Sequence, residues 1–128
     1  ATSDELFKVA DFLSLHCEMT PETTKLVNAR TIALMPDTPV IVNTARGGIV
    51  DDDALISALN SGRVAAAGLD VFNGEPTNVN PAYLELPNVF ITPHIGSAAR
   101  NARAAMGDML MDGLNLLLAG EPVPNRVV

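Results

Sequence analysis

The chain has 128 residues, enough for one ordinary domain with its own core, and its 48% hydrophobic and 18% charged residues describe a folded α/β protein rather than a disordered one. A net charge of −7 with no Lys/Arg cluster excludes a nucleic-acid surface, and no apolar run reaches membrane-spanning length. The single cysteine, Cys17, cannot close an internal disulfide, which fits a reducing, cytoplasmic compartment.

Helical and extended patterns then alternate. Residues 4–9 read as a helical turn leading into a strand over 10–15, with His16, Cys17, Glu18 and Met19 just beyond it. Thr20-Pro21-Glu22 supplies a cap, a proline at a first helical position and an acid in the first turn, predicting a short helix to about Leu26. Residues 28–35 form a second helical segment, and Pro36-Asp37-Thr38-Pro39 turns into the apolar run Val40-Ile41-Val42. That run stops abruptly at Asn43-Thr44, as expected of a short strand covered on both faces. Gly47-Gly48 allow a tight turn and a close backbone approach, so Arg46 is displayed just past the strand end. Asp51-Asp52-Asp53 place an N-cap and negative charge at the positive end of a helix over 54–60, which Ser61-Gly62 closes.

Residues 64–71 are the next strand, followed by a polar loop from Asn73-Gly74-Glu75-Pro76 to Pro81. A fourth strand over 88–92 ends in Pro93-His94-Ile95-Gly96-Ser97. From about Ser97 to Ala119 runs a long helical pattern stopped by Gly120; at 1.5 Å per residue it would be roughly 34 Å long. Ala102, Met106, Met109, Leu110, Gly113 and Leu117 share one face, either core or a packing surface, and the tail from Pro122 reads as extended.

Helices between the strands require a parallel sheet, whose carboxyl ends open on one edge, where ligands bind in open α/β folds. That edge collects His16, Arg46, Asp70 with Glu75, and His94. A guanidinium can hold a carboxylate in a two-pronged pair, and an imidazole beside a carboxylate favours its protonated form. The set points to a substrate with a carboxylate next to a carbonyl. Each position also admits a plain role: Arg46 on a surface turn, Asp70 as a cap, Glu75 in solvent, and His16 as a rival to His94 for the acid.

Four stretches together resemble the D-isomer-specific 2-hydroxyacid dehydrogenases: Ala10-Asp11-Phe12-Leu13-Ser14-Leu15-His16, Val42-Asn43-Thr44-Ala45-Arg46-Gly47-Gly48, Gly68-Leu69-Asp70-Val71-Phe72 with Glu75-Pro76, and Leu86-Pro87-Asn88-Val89 leading to Thr92-Pro93-His94-Ile95-Gly96-Ser97-Ala98. They occur in the family's order across nearly the whole chain, and the loop from Glu75 to Tyr83 is most similar to the glycerate dehydrogenase and glyoxylate/hydroxypyruvate reductase branch. The resemblance implies an NAD- or NADP-dependent oxidoreductase that interconverts a small 2-keto acid and a D-2-hydroxy acid, works as a homodimer and needs no metal. Arg46 would bind the carboxylate, His94 would move the proton, and Glu75 would be its carboxylate partner. His16, Thr44, Ala45, Arg46, Asp70, His94, Gly96 and Ser97 would lie along the cofactor. Similar formate dehydrogenases carry Gln at the Glu75 position, so Glu75 favours keto-acid reduction. One departure is Glu18, where the family commonly has Pro; its charge would disfavour a phosphorylated cofactor.

The implied fold is a Rossmann-like half-domain over residues 1–96, the second half of a dinucleotide-binding domain, with a long helix and tail over 97–128. The glycine-rich turn and the substrate domain would precede Ala1, so the chain is expected to be a carboxyl-terminal piece that alone binds cofactor weakly. The alternative function is a catalytically weak module that only self-associates or binds a partner.

Overall fold

In the computed structural model, which describes residues 2–126, the elements run α1 (Ser3–Val9), β1 (Phe12–Leu15), α2 (Ala29–Leu34), β2 (Val40–Asn43), a 3-10 turn (Gly47–Ile49), α3 (Asp52–Asn60), β3 (Ala66–Leu69), a second 3-10 turn (Pro81–Glu85), β4 (Val89–Ile91) and α4 (Arg100–Leu118). The outer ends of the two expected segments, residue 1 and residues 127–128, lie outside the described residues. Two compact units result, one to His94 and one from Ile95.

The first unit is built on a four-stranded, all-parallel sheet in the order β1-β2-β3-β4. Its register aligns Leu13, Ile41 and Ala67 on one row and Leu15, Asn43 and Leu69 on another. These six are buried, together with Phe7 of α1, Ile32 of α2, and Leu55 and Leu59 of α3. Fully burying an aliphatic side chain of that size stabilises the fold by about 1.5–3 kcal/mol, so this face is where the unit is held together.

The other face is more open than the cover on both faces expected for the apolar run Val40-Ile41-Val42. Phe12, Ser14 and Phe90 are exposed, while Val40, Val42, Ala66 and Gly68 are half-buried. The helices α1, α2 and α3 all contribute to one core, and none of them shields that second face.

Local chemistry sets the helix ends. Thr2 and Glu5 form a reciprocal capping box at α1, and the Asn28 side chain accepts from the backbone of Arg30 and Thr31 at α2. At the carboxyl end of α2, Arg63 donates to the carbonyls of Ile32 (2.9 Å), Met35 (2.5 Å) and Pro36 (2.6 Å), satisfying acceptors that a helix end leaves unpaired. The predicted short helix after Thr20 is instead a run of turns over 21–25. Its continuation is captured: Lys25 and Val27 donate to the carbonyls of Gly48 and Ile49, and Lys25 turns left-handed at φ 51°. Asp51 stands at the N-cap of α3 but makes no side-chain cap; it pairs with Lys25 at 3.1 Å, which holds its carboxyl below the usual carboxylate range.

In the second unit α4 begins at Arg100, three residues later than the pattern suggests, and none of its residues is buried. Met106, Met109, Leu110, Gly113 and Leu117 of the expected face line an apolar groove with Leu114 and Val123, whereas Ala102 lies outside it. Among the described residues no helix is long and apolar enough to cross a membrane.

Candidate functional site

Parallel order puts the carboxyl ends of all four strands on one edge, and each end delivers a polar group there. Past β1, His16 is exposed; its Nε2 lies 2.7 Å from Ser14 Oγ and its Nδ1 lies 3.4 Å from Thr44 Oγ1. Both neighbours are hydroxyls, which can donate or accept, so neither ring nitrogen is committed. Past β2, residues 44–46 turn sharply and present Arg46 to solvent, with its Nη1 donating to the Ala45 carbonyl at 2.7 Å. His16, Cys17, Glu18, Met19, Thr44, Ala45 and Arg46 surround a cleft of about 570 Å³, a size typical of small-molecule sites.

Gly47 explains why the Arg46 turn sits where it does. A Cβ at this position would lie 2.2 Å from the carbonyl carbon of Phe72, so only glycine lets the turn after β2 lie against the loop after β3. That loop carries the acids. Asp70 donates its amide to the Asn43 carbonyl at 3.0 Å and accepts a side-chain hydrogen bond from Thr92 on the neighbouring strand end. Glu75 folds back so that its Oε1 accepts the Phe72 amide at 2.8 Å.

The second carboxylate oxygen of Glu75 meets His94 Nδ1 at 2.5 Å. An ionised carboxylate only accepts, so the proton between them belongs on Nδ1, and Nε2 is the nitrogen left to face a ligand. His94 is held in the left-handed region at φ 53°, a conformation that costs a non-glycine residue about 1–2 kcal/mol, and its amide donates to the Thr92 carbonyl at 3.0 Å. Half of the imidazole remains open to solvent.

The edge therefore collects His16, Thr44, Ala45, Arg46, Asp70, Glu75 and His94. Gly96 and Ser97 belong to the second unit, where both are exposed. Two contributors had no site role in the sequence reading: Thr92, which bonds Asp70, and Asn43, whose side chain is buried under the Arg46 turn. The only signal for Asn43 was a polar residue closing an apolar strand.

Comparison with known proteins matches residues 1–96 to "D-isomer specific 2-hydroxyacid dehydrogenase, NAD binding domain". The chain belongs to that family. Glycerate dehydrogenase of Hyphomicrobium methylovorum is 47% identical over 117 residues, which is 91% of this chain and 36% of that protein. Glyoxylate reductase of Thermococcus litoralis is 42% identical over 124 residues, 97% of this chain and 37% of that protein. The crystal structure of D-lactate dehydrogenase with NAD+ from Lactobacillus jensenii superposes with a TM-score of 0.92 at 29% identity, covering 100% of this chain and 42% of that one. The chain thus spans little more than a third of the length of the curated dehydrogenases named here. Its parallel sheet is a Rossmann-like half-domain of this dehydrogenase family, accompanied by a long carboxyl-terminal helix. The hydroxyl, imidazole and backbone groups on the cleft wall suit the hydroxyl- and amide-bearing parts of a dinucleotide.

Proposed function

We propose that the protein carrying this chain is an NAD(P)-dependent oxidoreductase interconverting a 2-keto acid and a D-2-hydroxy acid, of the glyoxylate/hydroxypyruvate to glycolate/glycerate type. The observation that carries this reading is the Glu75–His94 pair on the same sheet edge as Arg46. The names of the glycerate dehydrogenase and glyoxylate reductase relatives support the substrate class.

Arg46 grips the substrate carboxylate through parallel N–H···O bonds, leaving its contact with the Ala45 carbonyl to do so. His94 Nε2 gives its proton to the keto oxygen, and Glu75 fixes the ring and balances the imidazolium charge. The nicotinamide, when bound, supplies the hydride that reduces the keto carbon. His16, Thr44, Ala45 and Arg46 would line its site on one side, with Asp70 and His94 further along the same sheet edge. Reduction adds one hydride to carbon and one proton to oxygen, and oxidation returns both.

Steady-state assay of glyoxylate and hydroxypyruvate reduction by the full-length protein tests the proposal. Turnover that collapses in His94→Ala supports it, and turnover indifferent to both Arg46→Ala and His94→Ala sinks it.

A second reading rests on α4, which has no buried residue and leaves Leu110 73% and Leu118 78% exposed. In that reading the chain is a self-associating or binding module with little turnover. The enzyme reading also includes a cytoplasmic homodimer. A lone monomer by light scattering would remove the homodimer and count against self-association of the module.

A further inference from the structure

A buried amide side chain is costly unless both of its ends are hydrogen-bonded. Asn43 is 1% exposed, so water cannot serve it. Its Oδ1 accepts the Ala45 amide at 3.0 Å, and its Nδ2 donates to the Arg46 carbonyl at 2.9 Å. Both bonds are spent on the turn that carries the guanidinium. Its backbone carbonyl takes the amide of Asp70, so the same residue ties the β2 end to the β3 end. From the other side Gly47 presses the turn against the backbone of Phe72 and Asn73, and the Phe72 amide holds Glu75. The turn is clamped between Asn43 beneath and the Glu75 loop beside it.

We propose that Asn43 is a positioning residue that sets where Arg46 meets the substrate carboxylate, by bonding the backbone on both sides of the Arg46 peptide. The inference rests on the reading of Arg46 as the carboxylate-binding group. A leucine or valine here would satisfy the strand's apolar pattern yet leave the Ala45 amide and the Arg46 carbonyl without these partners. The strand therefore gives up an apolar residue at the row it shares with Leu15 and Leu69.

The experiment is a double-mutant cycle in the full-length protein, read by the inhibition constant of oxalate, a planar dicarboxylate. Asn43→Ala is expected to weaken oxalate by about tenfold with Arg46 present and by less than about twofold in the Arg46→Ala background. Equal factors in the two backgrounds would overturn the inference, because a general loss of packing adds independently. An oxalate constant unmoved by Arg46→Ala removes the underlying reading of Arg46 and this inference with it. A readout that needs no variant is hydrogen exchange in the unliganded protein: the Ala45 amide should be protected by about a hundredfold or more. Exchange of that amide at the free-chain rate would equally overturn the proposal, even if Asn43→Ala failed to fold.

Discussion

At the end of β1, His16 stands exposed between two hydroxyls, those of Ser14 and Thr44. At the end of β4, His94 is bent into the left-handed region and locked at 2.5 Å to a carboxylate that the Phe72 amide orients in turn. Position along the sheet edge is shared; the partner differs. A hydroxyl can donate or accept and so fixes no tautomer, whereas a carboxylate only accepts and holds the ring with a proton on Nδ1. The two ends thus differ in hydrogen bonding although they look alike in the sequence, and the proposed function gives the proton donor's part to His94 alone.

Four outcomes would break or sharpen that difference. His94→Ala should lower kcat for keto-acid reduction by about 10²–10⁴-fold, the usual worth of a general acid, in a steady-state assay. Arg46→Lys should raise KM by about 10–100-fold with a smaller change in kcat, because an ammonium cannot reproduce the two-pronged grip. Glu75→Gln should lower kcat by about tenfold, since a neutral acceptor replaces a charge-assisted one. An unchanged kcat in that variant would place the two histidines on an equal footing.

The smallest effect concerns what holds the β4 side in place. Tyr83, in the 3-10 turn before β4, donates to Asp52 at 2.9 Å, and its phenol is pushed well above the usual value near 10 by burial and then by the Asp52 charge. The folded protein keeps that proton while the unfolded chain loses it. Tyr83 therefore contributes stability that is fully present below pH 10 and falls by up to about 1.4 kcal/mol per pH unit above it. Tyr83→Phe should cost about 1 kcal/mol at pH 7, and that gap should close as denaturant titrations move above pH 10. A pH-independent gap would show that Tyr83 does not titrate against the fold.

Much of this was legible in the letters. Short apolar runs marked all four strands, and the positions of Arg46, Asp70, Glu75 and His94 beyond the strand ends pointed to the edge they share. What was not legible depended on partners distant in sequence. The segment after Thr20 carries good helix-start residues, yet Lys25 and Val27 find better acceptors at Gly48 and Ile49. Asp51 reads as a cap and instead binds Lys25. The open face of the sheet could not be read either, because Phe12 and Phe90 are as apolar as the residues that are buried. Asn43 looked like the place where a strand ends, and its two bonds to the Arg46 turn show only in three dimensions.

Chemical rescue tests the contrast between the two histidines most directly. His94→Ala and His16→Ala would each be assayed for hydroxypyruvate reduction with and without added imidazole. A proton donor at His94 predicts a deep loss of kcat that imidazole partly restores, beside a His16→Ala variant that keeps kcat within about tenfold and ignores imidazole. Rescue of His16→Ala with no rescue of His94→Ala would contradict the assignment and move the acid to the other end of the sheet.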